Sequence, residues 1–362
     1  MPAPSLDAPT AAPLEAATRT HRRTVAGPAT VAALSLVLLA VMVAAIGLGA
    51  AAISPAETAR YLWAALTGDA IDARELGRYQ IVWQIRTPRV LLAAFVGAGL
   101  SVVGVAVQAL VRNALADPFV LGVSSGASVG AVAVGVFGGL SALGVYAVSA
   151  GAFLGALAAS LLVYLAAASS AGITPLRLVL TGVAMSFGFQ ALMAVLVYLV
   201  PDGEATGTIL FWTMGGFGAA SWGGLPPLVI AVTAGIWVLR AASRRLDVMS
   251  LGDETAGSLG VDPRRLRLGL FALTALMTGT MVALSGAIGF VGLVIPHLVR
   301  LLAGAAHARV LTVAPLVGAI FMVLVDLASR TLVAPRELPL GVITALIGVP
   351  LFVALMRRRA GR

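Results

Sequence analysis

The stretch 244–267, R-R-L-D-V-M-S-L-G-D-E-T-A-G-S-L-G-V-D-P-R-R-L-R, is the polar interruption around which this chain divides. Six long apolar segments precede it and four follow. Within it, Asp253 and Glu254 open a short predicted helix, as the positive end of a helix dipole favours, and Gly260 followed by Pro263 closes it. Such a short helix is marginal in water alone, so it forms only where something holds it. Leu251, Ala256 and Leu259 would make one small apolar face, offered to a partner on the arginine-rich side of a membrane. From spacing alone, the plainer reading of the stretch is an ordinary solvated loop.

Composition sets the class. Of 362 residues, 60% are apolar and 11% charged, far from the balance of a soluble domain, and the chain reads as an all-α polytopic membrane protein. The net charge of +9 does not point to nucleic acid, because the basic residues sit in short clusters between apolar runs without an aromatic and basic stripe. Membrane topology accounts for it instead. The absence of cysteine excludes disulfides, thiolate metal sites and a cysteine nucleophile. All 24 basic residues are arginine. A lysine-bearing phosphate loop and a lysine Schiff base are thereby excluded, so any ATP that drives this protein binds to another polypeptide.

Residues 1–28 are rich in Pro, Ala and Thr and read as a disordered cytoplasmic tail. The run 29–53 is too long for a signal-peptide core and lacks a convincing cleavage site, so it reads as an uncleaved first span. In the polar stretch up to Ile85, residues 55–66 read as an amphipathic surface helix with Ser54 as cap and Pro55 at its first position. Further spans fall at 88–111, 119–138, 142–168, 176–200, 224–241, 268–284, 290–304, 310–333 and 338–356, giving a ten-helix domain over 29–359. With the N-terminus inside, the cytoplasmic segments hold most of the arginines. The reverse topology would put Arg357, Arg358, Arg359 and the 244–267 cluster outside, against the positive-inside rule, so both termini are expected in the cytoplasm.

Gly122, Gly126 and Gly130 fall four apart, as do Gly151 and Gly155, a pattern of small-residue ridges that lets helices pack closely. Spans two to five and seven to ten run in opposite senses, and each set opens with a helix leading into a Gly-rich break, which hints at inverted repeats. The breaks are A-D-P-F-V-L-G-V-S-S-G-A at 116–127 and S-G-A-I-G-F-V-G-L-V-I-P-H at 285–297, where non-helical backbone must be buried in protein or line a cavity. Ser124 sits in a G-x-S-x-G match. That pattern needs a strand before it, a helix after it, an acid and a histidine, whereas the histidines here are His21, His297 and His307, so packing is the stronger reading. A lone His297 is likewise more often a packing residue than a metal ligand. Asp326 and Arg330, four apart near the outer end of the ninth span, either pair along the helix or leave Arg330 to present its charge outside. On position alone, Arg86 and Arg89 read as arginines that snorkel to the interface at the start of the second span.

Five stretches carry a family resemblance: R-T-P-R at 86–89, R-N-A-L-A-D-P-F-V-L-G-V-S-S-G-A at 112–127, L-G-D-E-T-A-G-S-L-G-V at 251–261, G-A-I-G-F-V-G-L-V-I-P-H-L-V-R at 286–300, and E-L-P-L-G-V-I-T-A-L-I-G-V-P at 337–350. With them the sequence closely resembles the iron-siderophore and cobalamin permease family of ABC importers, from about residue 29 to the C-terminus. The resemblance implies a type II importer permease fold in the cytoplasmic membrane, working as a dimer with the same or a similar chain. It also implies two ATP-binding subunits inside and a substrate-binding protein outside. Hydrolysis would belong to the ATP-binding subunits, so this chain would be no enzyme, and no cofactor or metal site is expected.

By the same resemblance, the 251–261 match implies a coupling segment in which Leu251, Gly252, Asp253, Glu254, Ala256, Leu259 and Gly260 dock in a cleft of the ATPase. Arg86, Arg89 and Arg330 match positions that present basic charge to acidic residues on the binding protein. Asn113 and Leu115, just ahead of the first break, and Pro118 within it are candidates for the pathway or its gate. The family usually has proline where this chain has Ala114, which leaves the backbone of that break open. Ferric siderophores are the commonest cargo implied, with haem and cobalamin behind. The rival from another class is an ion-coupled secondary transporter, for which Asp326 is the one candidate carrier, and an intramembrane hydrolase stands further off.

Overall fold

The computed structural model describes residues 27–49, 51–168, 173–199 and 213–360, so the expected tail lies outside the described residues apart from Gly27 and Pro28. The first span, α1 (Pro28–Gly47), starts on a proline whose fixed φ and missing N–H suit a first helical position. Much of its surface, including Leu36, Val37, Leu39 and Val43, is exposed. It ends earlier than expected, because Leu48 is extended. The surface helix α2 (Pro55–Thr67) follows, begun by a capping box in which the Ser54 hydroxyl accepts from Glu57 N and the Glu57 carboxylate accepts from Ser54 N.

The second span departs most from the sequence reading. Residues 76–85 were expected to be a polar connection, yet α3 (Leu76–Gln80) runs through a π-helical stretch, Ile81–Arg86, into α4 (Thr87–Leu110) as one continuous 35-residue helix. Arg78 and Gln84 hide this extension from a hydropathy reading, although both lie on its exposed side.

After α4 come α5 (Val123–Phe137), α6 (Ala147–Ala167), α7 (Pro175–Tyr198) and α8 (Leu225–Ala241). Two short helices, α9 (Ser243–Met249) and α10 (Asp253–Ser258), fill the polar interruption. The chain then forms α11 (Pro263–Ser285), α12 (Val291–Ala303), α13 (His307–Thr331) and α14 (Leu340–Ala360). Among the described residues there is no strand. Seven helical stretches are long and apolar enough to cross a membrane, and α5, α12 and the described start of α14 are shorter apolar helices.

Nearly every residue of α4 is buried, and α8, α11, α12 and α13 pack around it. Glycines permit that crowding. A Cβ at Gly104 would overlap the carbonyl of Gly292 in α12, and one at Gly97 that of Gly318 in α13. On the other side of the molecule, Gly126 and Gly130 of α5 lie against Gly155 and Gly151 of α6, as the four-residue spacing predicts. Gly122 does not join that ridge. It stands at φ 76° before α5, in the left-handed region where glycine carries no penalty.

Candidate functional site

On the side where the arginines cluster, α10 is fastened to the bundle through one carboxylate. Asp253 was read as a helix-dipole residue; it is the first residue of α10, but no side chain caps that helix. The Asp253 carboxylate instead accepts two bonds from Arg267 of α11, at 2.6 and 2.8 Å, and pairs with Arg112 just beyond α4. Arg267 also donates to the carbonyl of Ile173, ahead of α7. The far end of α10 closes as Gly260 and Pro263 suggested: Gly260, at φ 79°, donates to Gly257 O, and Val261 donates to Ala256 O. Asp262 then caps α11 by accepting from the backbone of Arg264 and Arg265.

The single apolar face expected for this segment is split in two. Ala256 is fully buried and seats α10 against the protein, whereas Leu251 and Leu259 are 64% and 59% exposed. Gly252, at φ 119°, makes the corner between α9 and α10, and Glu254 is exposed. A second tie, missed by the sequence reading, holds α9: Asp247 accepts from the backbone N of His307 at 3.0 Å and meets its Nδ1 at 2.6 Å.

The two Gly-rich breaks meet each other. Asp117 accepts from Phe119 N in its own break, at 2.8 Å, and from Phe290 N in the other, at 3.3 Å, while Pro118 packs on Gly292. Asn113 is exposed and turns the chain by accepting from Leu115 N, and Leu115 is half-buried. Of the three gate candidates, Pro118 packs against the second break. Ser124 lies in the first turn of α5 after a 3-10 turn, not after a strand. Among the described residues no group of His, Asp and Glu could hold a metal ion.

At the opposite end, Arg86, Arg89 and Arg330, which the resemblance implies face a binding protein, are buried, and of the two readings left open for Arg330 the pairing with Asp326 is the one observed. They are 5%, 6% and 9% exposed, respectively. Arg89 donates through Nε to Asp326 at 2.7 Å and through both terminal nitrogens to Glu337 at 2.8 and 2.9 Å. Arg330 donates to the other Asp326 oxygen at 3.0 Å and to the carbonyls of Leu48 and Ala45. Arg86 donates to the carbonyls of Ile46, Gly47 and Ala51. Arg89 and Arg330 thus share two carboxylates, while Arg86, whose bonds go to backbone carbonyls, meets the carbonyl end of α1, where the helix dipole is negative. The charges turn inward because α1, the end of α13 and the Glu337 loop close over them, an arrangement invisible in a local sequence window.

A tightly packed bundle of apolar helices with two broken helix pairs, a pinned polar helix pair on one side and a closed charge cluster on the other defines a polytopic helical membrane protein. The comparisons give the family directly. Residues 36–358 match the model of the FecCD transport family, and the chain belongs to it. It is 36% identical to the molybdate import system permease MolB of Haemophilus influenzae over 323 residues, covering 89% of this chain and 94% of that one. It is 39% identical to the hemin transport system permease HmuU of Yersinia pestis over 304 residues, covering 83% and 88%. A solved structure described as an inward-facing conformation of a metal-chelate type ABC transporter superposes with a TM-score of 0.79 at 34% identity, covering 92% of this chain and all of that one. The chain is thus a permease of the ABC importer type found among metal-chelate transporters, as the resemblance implied.

Proposed function

We propose that this chain forms the ten-span membrane channel of an importer for ferric siderophores, moved by alternating access and driven by two separate ATP-binding subunits. The observation that carries the mechanism is the fastening of α10. Leu251 and Leu259 flank a helix whose Asp253 is bonded to both Arg112 and Arg267, so a push on the leucines passes to the end of α4 and to α11. The 251–260 segment is accordingly the ATPase contact, with both termini on the same, cytoplasmic side. Gate movement is assigned to the meeting of the breaks at Asp117, Pro118 and Phe290, with Asn113 and Leu115 shaping the adjoining turn.

The siderophore assignment is supported by the character of the least covered inner helices. The exposed side chains of α7 are mostly apolar, among them Leu180, Phe187 and Leu192, with Arg177 and Gln190 as polar exceptions; those of α14 ahead of the exposed Arg357 include Leu346 and Val349, and neither helix carries a carboxylate. A second permease subunit set against these faces would enclose a neutral pathway, which suits a bulky chelate better than a bare oxyanion that needs polar donors. A soluble binding protein would deliver the cargo to the outer surface. In that reading Arg86, Arg89 and Arg330 act indirectly, by fixing the loops that the binding protein meets. Uptake of labelled ferric siderophores, hemin and molybdate by cells with and without this chain tests the cargo: transport confined to molybdate would overturn it.

A further inference from the structure

The surface helix α2 carries two apolar faces, and the bundle uses one. Thr58, Tyr61 and Ala64 are buried. Ala56, Ala59, Trp63 and Leu66, spaced so that they fall on a single stripe of a 3.6-residue helix, are all exposed, Trp63 at 64% and Leu66 at 77%. No charged residue lies within the stripe. The polar groups sit at its edge and are tied sideways: Arg60 bonds Glu75 at 2.5 Å, and Glu57 accepts from Arg78 at 2.6 Å.

We infer that this second face lies in the lipid interface, as a collar around the outer end of α1. Continuity argues for lipid as the occupant. The inner face of α2 touches the last turn of α1, where a Cβ at Gly47 would stand 3.3 Å from the Thr58 hydroxyl. Exposed apolar side chains run along α1 to Val43 and Leu48 near its end, so the apolar surface of α1 reaches the point where α2 rests on it. Trp63 has the amphipathic indole favoured at the headgroup level, and an apolar arc edged by arginine and glutamate matches a helix lying in the interface plane. Held there, α2 steadies the end of α1 at Ala45, Ile46, Gly47 and Leu48, whose carbonyls receive Arg86 and Arg330.

Because the chain has no cysteine, single labels report without background. Trp63→Cys and Leu66→Cys, each carrying a bimane fluorophore, are compared in phospholipid nanodiscs with Leu39→Cys as lipid reference and Asp69→Cys as water reference. The collar predicts quenching by doxyl-labelled lipid several-fold stronger than at position 69, with weak quenching by iodide. Iodide quenching equal to that at position 69 would overturn the inference in favour of a free surface. Protection from both quenchers would overturn it in favour of a protein contact.

Discussion

Replacing Asp326 with Asn probes the outer charge cluster at its centre. The Asp326 side chain is fully buried and its two oxygens serve Arg89 and Arg330, both of which remain buried when the charge is removed. Removing one partner of a buried pair typically costs 3–5 kcal/mol, mostly because the other charge is left uncompensated. Here the loss should fall at about 3 kcal/mol, the low end of that range, because Arg89 keeps Glu337, Arg330 keeps the carbonyls of Ala45 and Leu48, and the amide oxygen still accepts one bond. Glu337→Gln is the internal comparison. Its side chain is 35% exposed, so solvent screens the lost charge and about 1 kcal/mol is expected. Denaturant unfolding of the purified protein in one detergent measures both, with Arg89→Met added to close a double-mutant cycle against Asp326→Asn. If Asp326→Asn costs no more than Glu337→Gln, or if the cycle shows additivity, the cluster does not lock α1, α4 and α13 together.

Leu259→Asp should leave insertion and stability within about 0.5 kcal/mol of the parent, as for exposed sites generally, while abolishing co-purification with the ATP-binding subunit; retained association would remove Leu259 from the contact. Gly104→Ala should destabilise by about 1–3 kcal/mol, because its Cβ overlaps the Gly292 carbonyl, whereas Gly257→Ala, with open space around it, should be neutral in the same unfolding assay. The Glu57 carboxyl is held below its ordinary value, chiefly by its bond to Ser54 N, then by the Ser54 hydroxyl and Arg78. A group depressed on folding stabilises above its unfolded pKa and loses that contribution as pH falls through the folded one. Hydrogen exchange at residues 54–60 should therefore be slow at pH 7 and accelerate, relative to the intrinsic rate, only as the pH falls below the ordinary glutamate range, and Glu57→Gln should flatten that dependence.

Hydrophobic runs and arginine placement made the spans legible, because both follow from one constraint, the cost of polar groups in hydrocarbon. The close approach of α5 and α6 could be read from Gly126, Gly130, Gly151 and Gly155. The start of the second span could not, since Arg78 and Gln84 belong to a helix that extends past the apolar stretch. At the sites, local chemistry was readable and pairing was not. Pro263, Gly260 and the Ser54 cap act within a few residues, whereas Arg112 reaches Asp253, Arg89 reaches Glu337 and Asp117 reaches Phe290 across more than a hundred residues each. The docking role expected of the three arginines rested on the family resemblance, together with the outer side of the membrane that they share. What that expectation lacked was the carbonyl end of α1, which folds over them.

The central claim is that separate ATP-binding subunits drive transport through the 251–260 segment. Purified chain, its ATP-binding subunit and its binding protein in proteoliposomes, with labelled ferric siderophore added outside, test it directly. Uptake should require ATP on the cytoplasmic side, ignore an imposed proton gradient, and vanish in Leu259→Asp although the protein inserts normally. Uptake driven by a proton gradient without ATP, and unaffected by Leu259→Asp, would contradict the account and leave a secondary transporter in its place.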